Sequence, residues 1–196
     1  MALEPCYGER GGNAVRVYTK DGAVHEVEKT IKAMHNSVVR YYNVDVTASR
    51  VTYGKYLNRT LNIPVPLSAG SVLISVKMRC PQCVNDGASG YVNALKIKNI
   101  SKIAGSNDGQ VRCMLELESG QAVPCYITYD NIKKRLHDAL RVHEQYLNRH
   151  LLNRYPGSLE GVVEGLNRRK WRRLKDDIVV LAAEDCCDEY AMLDQD

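Results

Sequence analysis

No phenylalanine occurs in this chain, and Trp171 is the single tryptophan among 196 residues. Aromatic bulk therefore rests on twelve tyrosines, rings with a polar end that suit half-wet surfaces and stacking on bases. No stretch approaches the ~18 consecutive apolar residues of a membrane span, which excludes a crossing helix. The start, MALEPCYGERGGN, lacks the basic-then-apolar order of a secretion signal, so the expected location is cytoplasmic. Also missing are a GxSxG nucleophile elbow, a GxxxxGK phosphate loop, a GxGxxG turn after a strand and an HExxH pair. Carboxylates outside the tail are scattered, and no pair at helical spacing points to a glycosidase or nuclease site. No catalytic residue is assigned, and an enzyme is not the expected class.

The cysteine pattern is equally spare. Seven thiols (Cys6, Cys80, Cys83, Cys113, Cys125, Cys186 and Cys187) form an odd set that closes no disulfide framework, and a cytosolic chain keeps them reduced. Cys80-Pro-Gln-Cys83 has the spacing of half a zinc site or of a redox pair. A second CxxC or a close histidine pair is absent, and VNDGASG follows where a redox motif would open a helix. The reading adopted is two loop cysteines, with no metal and no cofactor.

What is present in excess is charge, in two opposed blocks. Residues 1–175 hold all 27 cations against 15 acids, whereas the last 21 residues hold eight acids and no Lys or Arg. The basic block peaks at LNRRKWRRLK (166–175). A basic body of this kind attracts polyanions, because each neutralised phosphate releases a condensed counterion. Such asymmetry points to nucleic acid or a charged partner.

Patterning predicts an antiparallel α+β fold, a β-sheet core with strands first and helices last. Residues 14–28 read as a hairpin around Asp21-Gly22. SVVRYYNVDV (37–46), rich in β-branched and aromatic residues, reads as strand, and 47–66 as an extended polar connection. SVLISVKM (71–78) is a buried strand and 79–90 a loop. In YVNALKIKNISKI, Leu95 and Ile97 alternate with Lys96 and Lys98, which predicts one apolar and one cationic face. VRCMLELE and QAVPCYIT then flank Ser119-Gly120, with Pro124 placing the second strand at an edge. Cys113 and Cys125 face each other across that hairpin. Over 130–154 the period changes to a helix, with Leu136, Leu140 and Leu147 in its packing stripe and Thr128 or Asp130 as cap. The expected organisation is a β-rich DNA-binding domain (1–155), a basic helical extension (156–175) and an acidic tail (176–196).

Cations and rings interleave at Arg40-Tyr41-Tyr42, Arg50, Lys55-Tyr56 and Arg59, with Lys96 and Lys98 adding a cationic strand. Asn43, Asn58 and Asn62 supply amides alongside. Phosphate contacts from such cations position a protein on a duplex, and Arg, Asn or Gln reach base edges.

Three segments in order resemble the ComK family of competence transcription factors. They are SVVRYYN with Arg50 and Lys55 behind it, RCPQC before GYVN, and the run from Gly90 to Leu147. Asn43, Val44 and Asp45 stand where that family carries glycines, and VNDGAS is an insertion. The 91–136 stretch also resembles the last strands and helix of LytTR-type DNA-binding domains. The resemblance implies a sequence-specific double-stranded DNA-binding activator that reads A·T-rich sites, chiefly from the minor groove, as a homodimer or higher oligomer. It further implies a carboxyl-terminal region displayed to a protein adaptor. The DNA-contacting residues it suggests are Arg40, Tyr42, Arg50, Lys55, Arg59, Lys96 and Lys98. The alternative reading is an RNA-binding or protein-interaction accessory protein without DNA specificity.

Overall fold

Residues 2–6 of the first strand are buried in succession, so the large sheet is covered on both faces, one of them by the helix Ile31–Tyr41. The computed structural model describes residues 1–84, 86–103 and 110–152. In chain order come β1 (Ala2–Tyr7), β2 (Asn13–Tyr18), β3 (Val24–Val27), α1 (Ile31–Tyr41), α2 (Val46–Leu57), β4 (Val65–Ser68) and β5 (Ser71–Lys77). Next follow β6 (Ser89–Asn93), β7 (Ile97–Lys102), β8 (Cys113–Leu117), β9 (Ala122–Cys125) and α3 (Tyr129–Leu147). A six-stranded sheet runs β3-β2-β1-β6-β5-β4 and a three-stranded sheet runs β7-β8-β9, with antiparallel pairing throughout. The fold is antiparallel α+β, as patterning predicts.

Leu3, Val15 and Ile31 pack together on one face, joined by Met34, Val38 and Tyr91, which seats α1 on the large sheet. Val39, Val65, Leu67 and Leu73 continue that layer. On the opposite face Val72, Ile74, Val76 and Val92 meet Cys113, Leu115, Leu117 and Val123 of the small sheet and Ile132 and Ala139 of α3. Fully burying one such aliphatic side chain contributes about 1.5–3 kcal/mol, so this shared core dominates stability. Cys113 pairs with Cys125 across β8 and β9, and β9, carrying Pro124, is an edge strand.

Four expectations are corrected. The segment 37–46 is not a strand: Ile31, His35 and Val39 form the buried stripe of α1, and tertiary burial overrides the β propensity of its valines and tyrosines. The supposed extended connection contains α2, started by Asp45, whose Oδ1 accepts from the N–H groups of Thr47 (2.8 Å) and Ala48 (3.0 Å). The continuous strand through Lys96 is broken by a 3-10 turn at Ala94–Lys96. There Asn93 Oδ1 accepts from Val72 and Leu95 N–H groups, and the chain passes from the large sheet to the small one. Finally, the packing stripe of α3 is Ile132, Leu136, Ala139 and Val142, whereas Leu140 is 41% exposed.

The helix expected over 130–154 is α3 followed by a π-helical turn, Asn148–Leu152. The compact unit spans Met1–Leu147. The basic segment 156–175 and the acidic tail 176–196 lie outside the described residues.

Candidate nucleic-acid interface

Two helices joined by a short turn carry most of the predicted contact residues. Thr30 caps α1, its Oγ1 accepting from Ala33 N–H at 3.2 Å. The chain leaves α1 through Tyr42 and takes a left-handed step at Asn43 (φ 53°), a conformation Asn tolerates better than most side chains. Val44 N–H returns to Val39 C=O at 2.9 Å. Asp45 then starts α2, so four residues separate the helices. That is the connection length of a helix-turn-helix.

The two halves of α2 behave differently. From Val46 to Val51 no residue is buried, and Thr47, Ala48, Arg50 and Val51 are exposed. From Tyr53 onward the helix is anchored: Tyr53, Leu57 and Ile63 pack with Val142 of α3. Arg59 reaches Asp138 at 3.0 Å, and the Arg141 guanidinium lies 5.2 Å from the Tyr56 ring. A Cβ on Gly54 would stand 2.8 Å from Arg59 C=O, so glycine is what lets the chain fold back there. The amino-terminal half is held by Val46, half-buried against Val39, Val65, Leu67 and Leu73, and it turns Thr47, Ala48, Arg50 and Val51 to solvent.

Electrostatics follow the same division. Residues 29–62 contain six cations and one acid, Asp45, whose carboxylate is engaged as a cap. Arg40, Arg50 and Lys55 are exposed and make no ion pair among the described residues. Tyr42 is 37% exposed and meets Tyr41 edge-on, with 5.2 Å between centroids. Beyond α2, Lys55, Asn58, Arg59 and Asn62 line an open concavity of about 570 Å³.

Of the seven predicted contact residues, Arg40, Tyr42, Arg50, Lys55 and Arg59 lie together on or beside the α1–α2 pair. Lys96 and Lys98 do not join them. They sit at the small sheet and are paired with Glu118 (2.7 Å) and Glu116 (3.3 Å). Thr47, Ala48 and Val51 join the exposed surface because their segment is helical rather than extended. The local signal is Asp45, a capping residue directly ahead of Val46-Thr47-Ala48-Ser49.

Cys80 and Cys83 are exposed, and no three potential ligands among the described residues are grouped to hold a metal. Comparison with protein-family models, curated proteins and solved structures finds no match.

Proposed function

We propose that the chain is a double-stranded DNA-binding transcription regulator that grips the duplex with the α1–α2 pair. The observation that carries this reading is the exposed face of the amino-terminal half of α2. It lies on a surface where Arg40, Arg50 and Lys55 have no acidic partner among the described residues. A helix of this diameter fits a major groove, and in helix-turn-helix proteins the start of the second helix touches base edges. Ala48 and Val51 share one face of α2 and offer methyl groups to thymine, while Arg50, about 160° round the helix from Ala48, reaches a phosphate. Arg40 and Lys55 flank them as phosphate contacts. Lys96 and Lys98, already neutralised by glutamates, contribute little. The resemblance to ComK favours the same class of function and adds A·T-rich preference and self-association.

Fluorescence anisotropy on A·T-rich, G·C-rich and single-stranded probes across a salt series tests it. A duplex preference that survives rising salt is expected. Equal, salt-labile binding to all three probes, or no binding at low salt, overturns it. The exposed side chains of Tyr41 (82%) and Leu61 (75%) favour a second reading, a protein partner on this surface, to which the absence of DNA binding would lead.

A further inference from the structure

The loop bearing Cys80 and Cys83 is braced far more heavily than an ordinary surface loop. Arg79 is buried, and its guanidinium donates to Gly87 C=O (2.8 Å), Cys6 C=O (2.7 Å) and the Asn13 side chain. It also lies 4.3 Å from the Tyr7 ring centroid. Tyr7 Oη donates to Asp86 Oδ2 at 2.6 Å and accepts from Gln82 N–H at 2.7 Å. Asp86 accepts from Asn13 Nδ2 (2.9 Å) and from Cys83 N–H (3.1 Å), while its own N–H bonds Cys83 C=O at 3.0 Å. Burying a guanidinium is costly unless its hydrogen bonds are met. Here that burial, joined to β1 and β2, fixes the backbone between the two cysteines.

What the bracing presents is two exposed thiols and, beside them, Val84, fully exposed at 101%. Two cysteines with two residues between them form half of a tetrahedral thiolate site, which requires four ligands. The buried Cys6, Cys113 and Cys125 cannot supply the rest, since they lie in strands of the core. Cys186 and Cys187 are adjacent in sequence, a spacing ill-suited to two corners of one tetrahedron. A second copy supplies both missing ligands at once, because a twofold axis brings the same loop to itself. That contact would also cover Val84.

We propose that Cys80 and Cys83 are one half of a tetrathiolate zinc site on a twofold axis, completed by the same pair from a second copy of this chain. Zinc binding would displace two protons per chain and join the copies through loops whose backbones are already set. The proposal is independent of the DNA-binding reading, since it concerns another loop and is tested without DNA.

The test uses full-length protein purified under reductant with zinc present. Metal analysis should give one zinc per two chains, and light scattering should give a dimer that chelation converts to monomer. Cobalt substitution should give near-ultraviolet thiolate-to-cobalt charge transfer and visible bands of a tetrahedral ion. Cys80→Ser and Cys83→Ser should each lose the metal and halve the mass while keeping the wild-type circular dichroism. A monomer in zinc, one zinc per chain, zinc retained by either variant, or zinc lost in a Cys186→Ser/Cys187→Ser chain overturns the proposal.

Discussion

The imidazole of His35 lies against the ring of Tyr91, with centroids 4.1 Å apart and 22° between planes. His35 is buried on α1, and its Nε2 has no hydrogen-bond partner among the described residues. Burial first, and Arg50 second, hold its pKa below the ordinary 6.5, with Asn36 pulling the other way. The folded state thus prefers the neutral ring. As pH falls below about 6.5, the unfolded chain takes up a proton that the fold resists. Stability is lost from that pH down to the lower folded pKa. Melting temperatures measured from pH 8 to 5 should fall through this window, and His35→Phe should flatten that part of the curve. An unchanged slope would mean that His35 is not the group responsible.

Arg50 and Lys55 separate binding from folding. Each sits on the open surface, so substitution by alanine should alter stability by no more than about 0.5 kcal/mol. On duplex DNA each should weaken binding and reduce the slope of log K against log salt by about 0.9. Lys96→Ala/Lys98→Ala should leave that slope near wild type. Titrations at several salt concentrations, beside denaturant melts, would read both effects.

Arg59 should behave oppositely. Its partner Asp138 has a side chain only 6% exposed, whereas that of Arg59 is 43% exposed. Arg59→Ala strands a buried carboxylate and should cost about 1–3 kcal/mol in urea unfolding, less than for a fully buried pair because solvent reaches Arg59. A loss no larger than that of Lys55→Ala would show that the ion pair does not hold α2 to α3.

Two residues on α3 test which side of the helix faces the core. Ile132→Ala should lose about 2–5 kcal/mol, because its side chain is fully buried. Leu140→Ala should be close to neutral. Equal losses in denaturant melts would contradict the packing described.

Gly90 permits the closest approach in the large sheet. A Cβ there would strike Leu3 C=O and Met78 Sδ and come within 2.9 Å of Pro5 Cδ. Gly90→Ala should destabilise by about 3 kcal/mol or more, through displaced backbone rather than a shifted side chain. Normal thermal stability of this variant would disprove that contact.

The legible parts were those whose information is local. Asp21-Gly22 announces its hairpin, and Gly22 takes a positive φ of 92°. Val72, Ile74 and Val76 alternate with Leu73 and Ser75, and the strand follows. Pro124 lacks an N–H, and its strand is at an edge. Among contact candidates, Arg40, Arg50 and Lys55 were visible as cations among rings. Nothing local distinguished them from Lys96 and Lys98, because Glu116 and Glu118 reach those lysines only through the β7–β8 pairing.

By itself, the sequence determined the antiparallel α+β class, the hairpins and the opposed charge blocks, since period, turn chemistry and charge are written residue by residue. Tertiary structure alone decided that Ile31, His35 and Val39 make a helix face, that Leu140 points outward, and that Arg79 is buried beneath the Cys80–Cys83 loop. Each depends on which surface is available to cover a side chain. That surface is assembled from residues as far apart as Leu3, Tyr91 and Ile132, and burial against it outweighs local preferences worth only a fraction of a kcal/mol per residue.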